Sequence, residues 1–508
     1  MMVPKKKGEK KGFGNRFLDF VEKVGNKLPH PMMLFFILAA LVLVFSLILS
    51  SLNVAVEHPV DGSKVEVINL LNADGIRDIF TKAVDNFVNF APLGVVLVAM
   101  LGVGVAEKTG LIPAALKKLI LGAPHKLVTV VVVLAGILSN VAADAGYVVV
   151  IPLGAIVFAA KGRHPIAGLA AAFAGVSGGF SANLVPSMLD PMLAGFTEDA
   201  IVGSGLVDEY SVSATANLLF MMVSTFLITI VGTLVTEKIV EPRLGEYKGD
   251  YVEKFEPLTE RENKGLKYSL IGIGIFVAGL LVMLVPESGI LRGEDGAIIT
   301  AITPFMNSMI PLIALMFLLP ALFYGKVAGT IKSNHDVANY MGKSMADMGG
   351  YIALAFAASQ FVSYFNWSQI GSVISISGAN FLQWTGIDAW PIPLILAFIL
   401  VCAIINIFIG SATAKWGIMA PVFVPMLYLL GTDPEVVQLA YRIGDSTTNI
   451  ISPLLPYFAF IIAFAQKYDK NLGIGTLVST MLPYSIAFTI SWMILLTIWL
   501  LLGIPVGF

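Results

Sequence analysis

A series of polar interruptions occurs twice in this chain, about 270 residues apart, and each time it cuts an otherwise apolar stretch. The first patch reads Gly136-Ile-Leu-Ser-Asn-Val-Ala-Ala-Asp-Ala-Gly146 and the second Gly410-Ser-Ala-Thr-Ala-Lys-Trp-Gly417. Each is followed by an apolar run, a proline (Pro152, Pro425) and a Gly-x-x-Pro turn (Gly162 to Pro165, Gly431 to Pro434). A second break then ends in an Asn just before a Pro: Asn183-Leu-Val-Pro186 and Asn449-Ile-Ile-Ser-Pro453. In lipid no water is at hand to satisfy a loosened backbone. Non-helical segments therefore persist at depth only where protein or a water-filled cavity surrounds them. Matched breaks in two halves of a membrane chain point to the binding site of a secondary transporter.

The membrane setting rests on composition. Hydrophobic residues make up 57 % of the chain and charged residues 13 %. Runs such as 32–52 and 479–503 exceed the ~20 apolar residues that cross a bilayer. A net charge of −2 and the lack of any charged tail give no footing for nucleic acid. The only cysteine, Cys402, excludes an intrachain disulfide. The basic segment from Lys5 to Arg16 precedes an apolar run too long for a signal peptide's core, so the first span is expected to stay uncleaved.

The spacing predicts an all-α polytopic membrane protein with nine spans and two re-entrant hairpins. The spans are expected near 32–53, 86–106, 165–197, 214–237, 268–286, 304–325, 346–365, 436–466 and 479–503, and the hairpins near 127–160 and 391–430. Cytoplasmic loops collect Lys and Arg. The basic residues assigned inside are eight before the first span, four in 107–126, two at Lys161 and Arg163, seven in 238–267, three at Lys326, Lys332 and Lys343, and two at Lys467 and Lys470, making 26. Lys64, Arg77, Lys82 and Arg292 make four outside, and Lys415 and Arg442 fall within the membrane. The N-terminus is thus expected in the cytoplasm and the C-terminus in the periplasm.

Lys126 and Lys161 flank the first hairpin, whereas Asp388, Asp433 and Glu435 flank the second. The two hairpins are therefore expected to dip in from opposite faces, as an inverted repeat; the alternative is that each arm is a short full span. The resulting division is a cytoplasmic segment at 1–31, scaffold spans at 32–126, a first transport repeat at 127–213, scaffold at 214–390, a second repeat at 391–478 and a last span at 479–508. Residues 107–126 and 367–386 read as interfacial segments, and 238–266 as a charged linker.

Charges at bilayer depth cost about 2.5–3.5 kcal/mol on insertion scales, so each one calls for a role. The candidates are Asp144, Asp190, Lys415, Arg442 and Asp445. Arg442 and Asp445 stand three apart and share a helix face, which allows an ion pair. Such a pair would either lock the broken helix or leave Arg442 free to grip a carboxylate. Asp190 has no basic residue within twenty positions, so a local salt bridge is not expected. It suits a proton carrier or a cation ligand, or an exposed rim position. Asp144 and Lys415, at the two hairpin tips, are either functional or reach interfacial water. Asn140, Asn183, Asn406 and Asn449, with the backbone near Gly136 and Gly410, supply neutral oxygens that suit sodium; a helix cap is the plainer role for any one of them. Trp416 is either packing or an aromatic wall. The five histidines have no metal spacing, and neither a nucleotide-binding Gly-rich loop nor a Gly-x-Ser-x-Gly nucleophile motif is present, so an ATP-driven pump and an enzyme are both disfavoured.

The stretch Gly410-Ser-Ala-Thr-Ala-Lys-Trp-Gly-Ile-Met-Ala-Pro-Val-Phe-Val-Pro-Met426, followed by Tyr441-Arg-Ile-Gly-Asp-Ser446, resembles the AbgT family of p-aminobenzoyl-glutamate transporters. So do Gly162-Arg-His-Pro-Ile-Ala-Gly168, Glu241-Pro-Arg-Leu-Gly245 and Gly25-Asn-Lys-Leu-Pro-His-Pro31. The resemblance implies a dimeric, multi-pass protein of the bacterial inner membrane, coupled to a sodium or proton gradient. Its cargo would be p-aminobenzoyl-glutamate, or sulfonamide antimetabolites exported from the cell. It places Asp190, Trp416, Arg442 and Asp445 on the substrate route, with Thr413, Pro434 and Pro453 nearby. It assigns Asn406, Gly410 and Asp445 to a sodium site, to which the residues' own chemistry adds Asn140, Asp144 and Asn449. A dicarboxylate carrier of the same architecture is the rival reading, and Trp416 argues against it, since a small aliphatic diacid needs no aromatic wall. An ion channel is a third reading, set back by two separate hairpins in one chain.

Overall fold

In the computed structural model, residues 29–57, 62–142, 146–247, 249, 257–293, 296, 298, 303–455 and 457–508 are described. Asp144 lies outside them. Leaving single turns aside, the chain forms α1 (Pro31–Ser51), a short hairpin of β1 (Ala55–Glu57) and β2 (Lys64–Glu66), α2 (Ala73–Thr81), α3 (Ala83–Val88), α4 (Ala91–Lys108) and α5 (Leu111–Leu121). There follow α6 (Val128–Leu138), α7 (Ile151–Ala160), α8 (Pro165–Phe173), α9 (Leu189–Gly203), α10 (Leu218–Val235), α11 (Glu260–Leu284), α12 (Met309–Ala328) and α13 (Asn334–Asp347). The rest are α14 (Gly349–Trp367), α15 (Ile370–Thr385), α16 (Pro391–Phe408), α17 (Ala412–Tyr428), α18 (Pro434–Asn449), α19 (Phe458–Ala465) and α20 (Ile474–Leu501). The two strands pair antiparallel with Val56 opposite Val65.

Polarity is distributed as a bilayer demands. Apolar α11 buries only Gly265, Ser269 and Gly272, where small residues let it approach α12, and it turns Leu270, Ile273, Val277 and Leu281 outward. In α18, one of the most polar helices, every residue except Glu435 is buried. Lipid tails solvate the first helix as well as protein would, whereas the backbone and side-chain dipoles of the second need protein partners.

Seven of the described helices are long and apolar enough to cross a membrane: α1, α4, α10 with its continuation to Leu244, α11, α12, α16 and α20. Six of these coincide with expected spans. The seventh, α16, is the first arm of the second hairpin, and its 18 residues rise about 27 Å at ~1.5 Å each. Two expected spans are interrupted instead. The first runs through α8 and a π-helical turn at Ala174–Gly178, opens at 179–188 and resumes as α9. The second stops at Asn449 and resumes at Phe458. The third, α14, is continuous but dilutes its apolar surface with buried Ser359 and Gln360.

Both hairpin tips break where the sequence placed them, at Ser139–Ala142 and at 409–411. The segment at 107–126 does form a helix (α5), which meets the α6 segment at a bend of 115°. Residues 367–386 differ from expectation. They form α15, in which Gly371, Ser372 and Ser375 are buried, with Ser375 Oγ donating to Val422 O of α17 at 3.0 Å. Those three small residues serve close packing.

Glycine spacing sets how near the interrupted helices come to the hairpin arms. A Cβ on Gly444 of α18 would stand 2.5 Å from Ile399 O and 2.6 Å from Cys402 Cβ of α16. A Cβ on Gly175 would overlap Val133 O of α6 in the same way. Each interrupted helix thus lies directly on the first arm of its own hairpin.

Candidate functional site

The second arm of the second hairpin leans across to the first interrupted helix. Trp416, on the first turns of α17, is fully buried and stacks on Tyr441 with ring centroids 4.4 Å apart at 24°. Its Nε1–H donates to Thr197 Oγ1 of α9 at 2.9 Å. Thr413, one turn before, has its Oγ1 2.8 Å from Met192 Sδ of the same helix. The first hairpin answers in kind: Tyr147, just past its tip, stacks on Tyr457, beyond the break that follows α18, with centroids 4.4 Å apart at 12°. Each tip therefore contacts the interrupted helix of the other half.

The buried charges pair between elements, which corrects the expected Arg442–Asp445 pair. Arg442 Nη1 donates to Asp190 Oδ1 at 2.6 Å, across 252 positions of sequence. Asp190 lies in the first turn of α9, and its other oxygen accepts from Ser187 N at 2.6 Å and Ser187 Oγ at 2.7 Å. Asp190 is 3 % exposed, so the rim position is excluded. A long-range partner supplies the cation that its sequence neighbours lack.

Asp445 pairs instead with Lys415, whose ammonium also donates to Asn406 Oδ1 and, at 3.1 Å, to Ile409 O. Lys415 is wholly buried and does not reach interfacial water. Asn406 Nδ2 lies within hydrogen-bond reach of Asp445 O (2.5 Å), Thr448 Oγ1 (2.9 Å) and Asn449 Oδ1 (2.9 Å). Asn449 Nδ2 in turn faces Asp445 Oδ2 at 3.4 Å.

Arg442 is unusual for what it leaves unbound. Its Nε and Nη2 are buried and have no hydrogen-bond partner. A guanidinium presents five N–H groups in a flat fork, and three of them here carry the desolvation cost of burial without a bond. The fork has the shape of a carboxylate.

Several residues in the site gave no signal in the sequence. Thr197 Oγ1 lies 2.6 Å from Gln438 Oε1, Gln438 Nε2 donates to Asn217 Oδ1 at 2.8 Å, and Asn217 Nδ2 donates to Glu435 O at 2.9 Å. This relay ties Trp416 to the start of α18. A buried Gln and Thr within interrupted spans were the only hints of it.

Pro434 lies apart from the charged centre, and Pro453 lies in the break that packs on the second hairpin tip. Pro434 begins α18, eight residues and ~12 Å of helix from Arg442. Pro453 sits in the break, beside Leu454, whose carbonyl a Cβ on Gly410 would meet at 2.7 Å. Gly410 therefore serves the closeness of the two breaks.

A sequence model described as "AbgT putative transporter family" matches residues 16–508. The p-aminobenzoyl-glutamate transport protein of Escherichia coli K12 is 37 % identical over 492 residues, 97 % of this chain and 96 % of that protein. The chain belongs to the AbgT family. Two solved structures are similar throughout. The YdaH transporter of Alcanivorax borkumensis, described as having an unusual topology, has a TM-score of 0.89 at 42 % identity, over 94 % of this chain and all of that one. MtrF of Neisseria gonorrhoeae, described with a class of antimetabolite efflux pumps, has a TM-score of 0.90 at 47 % identity, over 97 % and 99 %. The protein is accordingly a multi-pass membrane transporter and not an enzyme.

The sodium ligands that the family resemblance implied do not fit that ion here. Asn406 and Asp445 turn their oxygens to the Lys415 ammonium, and Asn449 completes the cluster around Asn406. Asn140 behaves differently: its Nδ2 makes a long contact of 3.4 Å to Gly179 O, and its buried Oδ1 has no partner.

Proposed function

We propose that this protein is an ion-coupled carrier of p-aminobenzoyl-glutamate or related aromatic folate-pathway compounds, and that it exports sulfonamide antimetabolites. The observation that carries the reading is Arg442. Its free Nε and Nη2 form a ready fork for a glutamate carboxylate, held in place by Asp190 on the third nitrogen. In the stacked Trp416–Tyr441 pair, Tyr441 directly precedes Arg442, and the pair offers an aromatic face to a benzoyl ring once the hairpin moves. A sulfonamide keeps the aryl amine and shares that contact. The relatives support the cargo: one is named for p-aminobenzoyl-glutamate transport and another is described with antimetabolite efflux pumps.

In this structure the site is occluded. Arg442, Trp416, Lys415, Asp445 and Asp190 are each 3 % exposed or less, so loading requires one hairpin tip to withdraw from the interrupted helix opposite. In the bilayer we place the protein as an inner-membrane homodimer with its N-terminus in the cytoplasm and its C-terminus in the periplasm. Flux of p-aminobenzoyl-glutamate and of a sulfonamide is to be measured in proteoliposomes under imposed sodium or proton gradients. Gradient-dependent, saturable flux of either compound is expected. Flux of neither compound, or flux indifferent to both gradients, refutes the coupled carrier.

A further inference from the structure

The two halves of the site treat their buried amides differently. In the second half, the nest formed by Asp445 Oδ1, Asn406 Oδ1 and Ile409 O is filled by an ammonium from the chain itself. Lys415 has three N–H donors and three acceptors before it, and its charge balances that of Asp445. The nest is saturated in both hydrogen bonds and charge, so a second cation there would face the ammonium's repulsion within a few ångströms.

In the first half, the corresponding segments supply no cation of their own, although Arg442 reaches Asp190 at the end of the break. Neither 127–160 nor 165–197 contains a Lys or Arg. Asn140, Ser181 and Asn183 are all buried, at 5, 2 and 1 % exposure. Asn140 Oδ1, Ser181 Oγ and Asn183 Nδ2 have no hydrogen-bond partner, although buried polar atoms are nearly always satisfied. The Asn140 amide lies against Gly179 O at 3.4 Å, at the start of the opened backbone 179–188 that carries Ser181 and Asn183. Asn183 Oδ1 already accepts from Leu184 N at 2.9 Å, which leaves Asn140 Oδ1 and Ser181 Oγ as the open side-chain acceptors. Neutral oxygens in a dry setting suit a hard monovalent cation.

We propose that Lys415 is the resident cation of the second nest, and that the coupling ion binds in the first nest, at Asn140 and Ser181 beside Asn183. The inference rests on the ion-coupled reading above and places the ion on the residues of the first half. It also explains why one half has a lysine at its hairpin tip and the other does not: one nest carries a fixed charge while the other loads and empties.

The test measures ion binding, not transport. Purified full-length protein in detergent is titrated with radioactive sodium at constant ionic strength, with choline as the replacing cation. Its melting temperature is followed in the same titration. One sodium per protomer and a saturable, sodium-specific rise in melting temperature are expected for the wild type. Asn140→Ala and Ser181→Ala should each weaken the midpoint at least tenfold. Lys415→Ala should bind a second sodium, because Asp445 then lacks its counter-charge. The proposal is overturned by a wild type indifferent to sodium, or by an unchanged midpoint in both first-nest variants. A Lys415→Ala protein that still binds one sodium overturns it too. Should that variant not fold, the wild-type stoichiometry and the Ser181→Ala midpoint decide alone. Failure of p-aminobenzoyl-glutamate flux with sodium binding intact would count against the proposed cargo and leave this assignment standing.

Discussion

Cutting the Arg442–Asp190 bridge from either side should give unequal costs, and the inequality can be worked from the hydrogen bonds. Removing one partner of a buried ion pair costs about 3–5 kcal/mol, because the other charge is left without compensation. Asp190→Ala strands a guanidinium that is 1 % exposed and whose Nε and Nη2 already lack partners, so its cost falls at the upper end, ~5 kcal/mol. Arg442→Ala strands a carboxylate that keeps two donors, Ser187 N and Ser187 Oγ, so its cost falls at the lower end, ~3 kcal/mol. The double variant removes both charges and should fall short of additivity by ~2–3 kcal/mol.

Cys402 provides the assay. It is the only cysteine and is fully buried against α18, so a thiol-reactive fluorophore labels the protein as it unfolds in detergent. Scaled to 508 residues, 1 kcal/mol corresponds to about 1 °C of melting temperature. Shifts near 5 °C and 3 °C are expected for the two single variants. Additive shifts, or an Arg442 variant that melts below the Asp190 variant, would refute the reasoning.

Other perturbations address the packing around the pair. Trp416→Phe keeps the stack on Tyr441 but loses the bond to Thr197, for about 1 kcal/mol, whereas Trp416→Ala should cost ~3–5 kcal/mol; the same thiol melt ranks them, and equal costs would remove the stack from the argument. Gly444→Ala drives a Cβ into Ile399 O and should cost ~1–3 kcal/mol while raising the native labelling rate of Cys402; unchanged labelling would show that α16 and α18 are not held at this distance. Arg163, near the base of the first hairpin, donates to Glu241 and to Thr129 Oγ1, the latter at 2.8 Å. Arg163→Ala should speed amide hydrogen exchange across 161–165, and unaltered exchange would deny the bridge that role.

Much of this site was legible before the fold. Asp190, Trp416, Arg442 and Asp445 stood out because polar groups are costly at bilayer depth, and the structure gathers all four around α18. Their partners were not legible. Spacing suggested that Arg442 meets Asp445, because residues three apart share a face, yet each reaches a different helix. Lys415 looked like a tip residue open to water and proved to be wholly enclosed. Thr197, Gln438 and Asn217 escaped notice because a hydroxyl or amide in a span costs little and so signals little.

The sequence by itself determined that the chain lives in a membrane and where its helices break, since both follow from local chemistry: apolar length, and the Gly, Asn and Pro that interrupt it. Only the tertiary structure decided which charge answers which. Arg442 and Asp445 lie 60° apart around α18, enough for one to face α9 and the other the second hairpin tip. Which helix fills each direction depends on contacts more than 250 residues apart in the case of Arg442 and Asp190, and no local pattern encodes it.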